Sequence, residues 1–269
     1  MIHLIEVLNQ ISPWVLAIAI IAVAELYAVG LMLATRARCG ADYLSLNNEV
    51  AGFKFAVIGV LYAVLLAFVV VAVWEDYQDT ETAVRNEAKA LSDLHQVSFA
   101  LPEAAGEEIR KHILGYIAQV RGPEWTSMAE GRSNSSAEIE LHRLSQTIFE
   151  ARPEQLKDVA IYQHALDLLT TVNDNRSERL DNSRGSVPGV LWLVMIAGGL
   201  VTLGYPAFFG SSNLWSQILM TASLAALVAL TLFVAVVLDY PFTGDVRISP
   251  APFERALKQM PPQWDRPDR

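Results

Sequence analysis

Residues 52–101 read GFKFAVIGVLYAVLLAFVVVAVWEDYQDTETAVRNEAKALSDLHQVSFAL, and this stretch decides the fold. Its first part, Phe53 to Trp74, carries no charge after Lys54. At about 1.5 Å per helical residue, it is long enough to cross a hydrocarbon core of about 30 Å. The second part is polar, but no proline interrupts it before Pro102. We therefore predict one continuous helix of roughly 50 residues, about 75 Å long, half of it in lipid and half in water.

The composition indicates a membrane protein. Hydrophobic residues make up 52% of the 269-residue chain, the mean hydropathy is +0.30, and the apolar residues are concentrated in four blocks. We expect membrane spans at about 13–34, 53–74, 190–208 and 214–238. The predicted fold class is an all-α membrane protein with four transmembrane helices. A helical extramembrane domain is built on extensions of spans two and three.

The predicted domain organisation has four parts: a first transmembrane hairpin (1–74), a polar helical domain (75–186), a second transmembrane hairpin (187–238) and a proline-rich C-terminal segment (239–269). The N-terminal stretch before Pro13 has no Lys or Arg and no small-residue cleavage site, so we expect the first apolar block to be retained as a span. Within the helical domain, Gly122-Pro123 is predicted to end a helix, and Pro153 to open the last long one. The tail from Met260 is expected to be loose.

The charge distribution excludes several classes of function. The chain has a formal net charge of -9 and a sequence pI of about 5.0. Nucleic acid is therefore not expected as a partner.

Cys39 is the only cysteine, and the five histidines lack the paired spacing of a metal-binding helix, so we expect no metal and no cofactor. No Ser-His-Asp pattern, phosphate loop or paired catalytic carboxylates occur, and the sequence predicts no enzyme.

Small residues mark one face of the second span. Gly52, Ala56, Gly59, Ala63 and Ala67 are separated by steps of four, three, four and four residues, so they share one stripe. One interpretation is close packing of helices in lipid, which small side chains permit. The other is the wall of a narrow pore, where small side chains leave room. In a symmetric oligomer both hold, because the same helix repeats around an axis.

Acidic residues follow the second span directly. In an oligomer, Glu75, Asp76 and Asp79 would repeat as a ring of carboxylates at a pore mouth, and such rings concentrate cations. The alternative is a solvated helical turn just outside the lipid. Carboxylates also bind Ca²⁺, but the spacing is not that of an EF-hand, so the calcium interpretation has little support.

Glu25 is an ionisable residue inside the first span, with apolar neighbours on both sides. Such a group is costly in lipid and usually faces protein or water. It is either part of an ion path or proton relay, or a carboxyl that holds helices together through a hydrogen bond. Tyr27 and Thr202 are the partners we consider for that bond.

A motif follows the fourth span, LDYPFTGDVRISPAPF at residues 238–253. Its prolines and glycine forbid a continued helix. The residues singled out in it are Asp239, Pro241, Gly244, Asp245 and Arg247. We expect Asp245 and Arg247 to pair with each other or to cap the end of a span.

Three blocks of the sequence resemble a known family. They are the stretch from Gly52 to Leu91, the segment PGVLWLVMIAGG from Pro188, and the motif after the fourth span, and they occur in the same order. Together they resemble the bacterial bestrophin-like family of unknown function, over about residues 15–257. That family is named for its distant similarity to bestrophins.

The resemblance implies an oligomeric ion channel. Bestrophins are often pentameric and anion-conducting, are gated by Ca²⁺ in animals, and line their pore with the second span, which here corresponds to Phe53–Trp74. No bestrophin-type calcium clasp is recognised. The implied partners are the lipid bilayer, other copies of the chain and inorganic ions. The alternative is a non-conducting membrane scaffold or sensor whose helical domain binds a partner.

The expected location is the bacterial inner membrane. Four spans place both termini and the helical domain on the same side. Lysines and arginines near the span ends are more numerous on that side, which favours a cytoplasmic domain.

Overall fold

The structure, a computed structural model, describes residues 12–132, 134–151 and 159–260. Within these residues all regular structure is helical and no β-strand is present. The α-helices are α1 (Pro13–Cys39), α2 (Ala41–Ser45), α3 (Asn48–Val97), α4 (Glu103–Gln119), α5 (Trp125–Ala129), α6 (Ser136–Glu150), α7 (Val159–Asp181), α8 (Gly189–Gly204), α9 (Leu214–Asp239) and α10 (Ala251–Gln259).

Four helical stretches are long and apolar enough to cross a membrane: Pro13–Cys39, Asn48–Ala100, Val159–Phe208 and Leu214–Asp239. In the third, the apolar part is α8 with the short 3-10 helix Tyr205–Phe208 that follows it. The predicted all-α fold with four transmembrane helices is confirmed.

Helix α3 continues without a break from its apolar part into its polar part. It runs for 50 residues, and a short 3-10 helix, Ser98–Ala100, follows it. Leu101 is then extended, at φ -82° and ψ 168°, as expected of a residue that precedes a proline. The prediction of one long helix through Trp74 to the proline at 102 is confirmed.

The chain divides into two compact units. The membrane unit comprises Gln10–Asp76 and Ser186–Asp239. The helical domain comprises Tyr77–Gly185 and the described part of Tyr240–Arg269. Helix α3 contributes residues to both units.

In the membrane unit, α3 packs closely on α8 at one tyrosine. The hydroxyl of Tyr62 donates a hydrogen bond to the carbonyl of Met195 at 3.0 Å. A Cβ atom on Gly198 would lie 2.8 Å from the Tyr62 ring, and one on Gly199 would lie 2.8 Å from its hydroxyl. The two glycines therefore make room for the buried Tyr62 side chain.

Polar side chains hold the connection between α8 and α9. Arg36 Nη1 donates to the carbonyl of Ser211 at 2.6 Å and to Gln217 Oε1 at 2.7 Å. The Asn48 amide exchanges two hydrogen bonds with the backbone of Gly210. A Cβ atom on Gly210 would lie 2.3 Å from the carbonyl of Ala41, so only glycine fits this close approach.

In the helical domain, α4 packs against α6, and their buried side chains join those of α3 and α7 in one hydrophobic core. The prediction that Gly122-Pro123 ends a helix is wrong. The backbone continues through a π-helical turn, Val120–Glu124, into α5. The wider π turn accommodates Pro123, which breaks the regular α pattern but does not stop the chain from coiling.

The motif after the fourth span forms part of this core. Phe242 and Phe253 are fully buried, and each makes an edge-to-face contact with Trp125, with ring centroids 5.2 and 6.0 Å apart. The C-terminal segment also contains α10, a helix that was not predicted. Pro252 lies in its first turn, where a missing N–H costs nothing. The predictions for Pro153 and for residues 261–269 fall outside the described residues.

Candidate functional site

The small-residue stripe of α3 lines an apolar groove in the membrane unit. Four of its five predicted members, Ala56, Gly59, Ala63 and Ala67, border a cavity of about 700 Å³. The other wall comes largely from α9, with Leu224, Leu227, Val228 and Thr231. A Cβ atom on Gly59 would meet nothing within 4 Å, so the groove is open at that position.

Gly52 is separate from the other four. It does not line the groove, and a Cβ atom on it would lie 3.8 Å from Cε1 of Phe209. The structure therefore brings four stripe residues together at the groove and leaves Gly52 at a packing contact.

Few polar groups face the groove. The hydroxyl of Thr231 donates back to the carbonyl of Leu227 within its own helix, at 2.9 Å. Thr202 Oγ1 is buried and has no hydrogen-bond partner among the described residues. A surface of this kind suits an apolar constriction, which gates ions by dewetting, or close contact with another helix.

Glu25 is half-buried in α1 and makes no hydrogen bond or ion pair with the described residues. The two partners considered for it are engaged elsewhere or do not reach it. The hydroxyl of Tyr27 donates to the carbonyl of Leu200 at 3.1 Å, and the Thr202 hydroxyl has no hydrogen-bond partner in the described part of the chain. The idea that these residues hold the carboxyl within the chain is therefore wrong.

The acidic residues after the second span lie on one continuous helix. Glu75 and Asp79 are exposed and, being four residues apart, share a face of α3. Asp76 is half-buried. Burial and then the charge of Asp79 raise the pKa of Glu178 on α7. Sequence reasoning missed Glu178, because only the fold brings it near Asp79.

Asp239 has a structural role in the membrane unit. One of its carboxylate oxygens accepts hydrogen bonds from the backbone N–H groups of Ser186 and Val187, at 2.8 and 3.0 Å. The other accepts from Nε1 of Trp192 at 3.3 Å. The last residue of α9 therefore binds the backbone of the segment that directly precedes α8.

The remaining motif residues form a short loop in the helical domain, closed by one backbone hydrogen bond. The carbonyl of Pro241 accepts from the N–H of Ile248 at 2.8 Å, and Gly244 has φ 73°, which glycine adopts at no steric cost. Asp245 and Arg247 form no ion pair with each other and cap no described helix, contrary to the prediction. Both are exposed, and Arg247 lines a cavity beside α10.

A buried charge network in the helical domain was not predicted at all. The guanidinium of Arg179 contacts both Glu87 and Glu124, and none of the three side chains has any exposed surface. Arg176 adds a second bond to Glu124 at 2.7 Å, and the hydroxyl of Tyr116 donates to Glu87 at 2.5 Å. Burial alone would lower the pKa of Arg179, but Glu87 in particular raises it above its usual value.

Among the described residues, no cluster of three or more His, Cys, Asp or Glu side chains has the arrangement of a metal site.

Comparison with known proteins gives the same fold. The Bestrophin-like domain family matches residues 22–253. A crystal structure of a variant bacterial bestrophin homologue from Klebsiella pneumoniae superposes with a TM-score of 0.63 and 11% sequence identity, covering 91% of this chain and 97% of that chain. A second variant of that homologue gives a TM-score of 0.65 at 13% identity, covering 91% and 98%. No functionally curated protein matches the sequence.

A further similar crystal structure, described as a membrane protein, has a TM-score of 0.69 at 11% identity and covers 89% of this chain and 97% of that chain. At these identities the similarity concerns the fold alone. It extends over nearly the whole of each chain, so the architecture is shared from the first span to the segment after the fourth.

Proposed function

The chain belongs to the bestrophin-like family, and from this premise we propose that it forms a homo-oligomeric ion channel of the bacterial inner membrane. The pore lies between copies of α3, which repeat around the symmetry axis. Five copies are the number that the family resemblance implies. The helical domain and both termini are on the cytoplasmic side.

The observation that carries this proposal is the open groove along the small-residue stripe. Ala56, Ala63 and Ala67 are exposed in the single chain, although they lie in a span where large side chains would fill space better. Small side chains at these positions leave room for an ion path. Together with the apolar lining, they describe a narrow hydrophobic constriction of the kind that controls conduction by dewetting.

The exposed carboxylates supply the second part of the mechanism. Repeated around an axis, Glu75 and Asp79 form rings of negative charge at the end of the constriction. These rings raise the local cation concentration and repel anions, so we propose that the channel favours cations. Glu25, which lacks a partner within the described chain, faces the ion path or a neighbouring copy.

Cysteine accessibility tests the pore assignment directly. Because Cys39 is the only cysteine, a Cys39→Ser background has no thiol, and a single introduced cysteine is then the one group that can react. We expect Ala63→Cys to react with a water-soluble cationic methanethiosulfonate and to lose current. Val64→Cys, which is exposed but does not line the groove, is the matched control and should keep its current. Equal behaviour of the two variants would remove the stripe from the pore.

The second candidate is a non-conducting scaffold or sensor, and the apolar character of the groove is the observation that favours it. In lipid, a groove lined by small residues also allows a neighbouring helix to pack closely against it. In that case Ala63→Cys would be shielded from the reagent. It would instead form a disulfide between copies under oxidising conditions, with no ion current in any variant.

A further inference from the structure

A cavity in the helical domain is lined by three arginines that the channel proposal does not use. It has a volume of about 230 Å³ and lies between α3, the turn after the fourth span and the start of α10. The charged and polar residues that line it are Tyr77, Glu81, Arg85, Arg247, Ser249 and Arg255. All of them belong to the same compact unit.

The cavity carries excess positive charge in an acidic protein. Its three arginines face one acidic residue, Glu81, so the lining has a formal net charge of +2 (three minus one). The chain as a whole has a net charge of -9. Bringing like charges together costs free energy that a bound anion would recover.

Two of the arginines have no partner among the described residues. Arg85 is paired with Glu81 at 3.1 Å and donates to Thr82 Oγ1 at 2.9 Å. Arg247 and Arg255 are exposed and make no hydrogen bond or ion pair with the described residues. Their donors are therefore free for a ligand.

The surrounding backbone also favours an anion. Ala251 and Pro252, the first residues of the nine-residue helix α10, line the cavity, and a helix N-terminus carries partial positive charge. The acidic residue of that first turn, Glu254, points elsewhere, because it pairs with Arg121 at 3.0 Å.

We propose that this cavity is a binding site for a phosphate monoester group, held mainly by Arg247 and Arg255. Guanidinium groups match phosphate with two parallel hydrogen bonds, which a lysine does not provide. The volume is below the range of about 300–1,000 Å³ that is typical of drug-sized ligands. The site therefore takes a phosphate group or a small headgroup rather than a whole nucleotide.

Two sources carry this chemistry, a soluble phosphate and the headgroup of an anionic lipid such as phosphatidic acid. The test uses full-length protein and follows thermal unfolding by tryptophan fluorescence. In detergent, inorganic phosphate is titrated against chloride at constant ionic strength. In nanodiscs, phosphatidylcholine alone is compared with phosphatidylcholine containing phosphatidic acid or phosphatidylglycerol, which is a phosphodiester.

The informative variant is Arg247→Gln/Arg255→Gln, and the matched control is Lys89→Gln/Lys258→Gln. The control removes the same charge from exposed positions on α3 and α10 that do not line the cavity. We expect phosphate or phosphatidic acid to stabilise the wild type and the control, and to bind the arginine variant at least about tenfold more weakly. Stabilisation by inorganic phosphate in detergent identifies a soluble ligand, and stabilisation by phosphatidic acid alone identifies a lipid.

Equal responses of the arginine variant and the control in both arms would overturn the proposal. So would equal stabilisation by phosphatidic acid and phosphatidylglycerol in all variants, since that would be an effect of bulk charge. If the glutamine variant does not fold, Arg247→Lys/Arg255→Lys keeps the positive charge but removes the guanidinium groups that donate two parallel hydrogen bonds. Weaker phosphate binding by this variant supports the site, and unchanged binding contradicts it.

Discussion

The guanidinium of Arg179 donates to both carboxylate oxygens of Glu87, from Nε to Oε2 at 2.7 Å and from Nη2 to Oε1 at 3.0 Å. Both side chains are fully buried. The pair joins α7 to the part of α3 that extends beyond the predicted span. It therefore ties the long helix into the core of the helical domain.

Removal of one partner should destabilise the domain strongly. Glu87→Gln leaves a buried guanidinium with only Glu124 as its counter-ion, and breaking a buried pair costs about 3–5 kcal/mol. We expect an unfolding free energy lower by about 3 kcal/mol, measured by denaturant unfolding of the purified protein. The control is Glu108→Gln, which removes a half-exposed carboxylate that pairs with Lys111 at 3.2 Å and with His112 at 3.6 Å and should cost about 1 kcal/mol or less. If Glu87→Gln lowers the unfolding free energy no more than Glu108→Gln does, the buried network contributes no more stability than an exposed pair.

The pH dependence of stability should report on His95. This side chain is buried, its Nδ1 has no hydrogen-bond partner among the described residues, and burial and then the charge of Arg110 lower its pKa. The unfolded chain therefore binds a proton more readily than the folded one. The contribution of His95 to stability is complete above the ordinary histidine pKa of about 6.5 and is lost as the pH falls through the lowered folded value.

We expect melting temperatures measured from pH 7.5 downwards to fall less steeply in His95→Gln than in the wild type. His142→Gln removes an exposed histidine from α6 and serves as the control. If the melting temperatures of all three proteins fall in parallel as the pH is lowered, His95 does not contribute to the pH dependence of stability.

The contact between Tyr62 and Gly198 should tolerate no side chain. A Cβ atom at Gly198 would lie 2.8 Å from the Tyr62 ring, which is itself buried between helices. Gly198→Ala should therefore cost about 1–3 kcal/mol, as overpacking does. Gly59→Ala is the matched control, because its Cβ would meet nothing within 4 Å. The melting temperatures of the two variants in detergent measure the difference, and equal melting temperatures would contradict the packing described here.

Charge reversal after the second span should change ion selectivity. Glu75→Lys/Asp79→Lys turns the proposed acidic rings into basic ones, so cations are repelled and anions attracted. We expect the reversal potential in a KCl gradient across a planar bilayer to move towards the chloride equilibrium potential. The control, Glu103→Lys/Glu107→Lys, has the same spacing at exposed positions of α4. Reversal potentials that are equal to the wild-type value would place Glu75 and Asp79 outside the ion path.

The sequence predicted well those features that depend on local pattern. The length of α3 followed from an apolar block and a polar block with no proline between them, and the start of α1 at Pro13 followed from the preference of proline for the first helical turn. The prolines after the fourth span were expected only to end that helix, and α10, with Pro252 in its first turn, was not predicted. Pro123 was wrongly predicted to end a helix, because a π-helical turn accommodates it.

Long-range relationships could not be predicted in this way. Glu87, Glu124 and Arg179 look like ordinary charged residues of polar helices, and nothing in their spacing indicates that they meet in the core. Asp239 was singled out with its motif, but its role as an acceptor for the segment before α8 depends on the return of α9 to that end. The stripe on α3 was visible from spacing alone, whereas the facing wall of α9 was not.

Ion flux is the measurement that tests the central claim most directly. Liposomes with the purified full-length protein are loaded with KCl and diluted into a medium that sets K⁺ and Cl⁻ gradients, with empty liposomes as the control. The proposed channel predicts K⁺ flux above that of the control and greater than the flux of Cl⁻. The absence of flux above that of empty liposomes, at any Ca²⁺ concentration and membrane potential, would contradict the account and favour a scaffold.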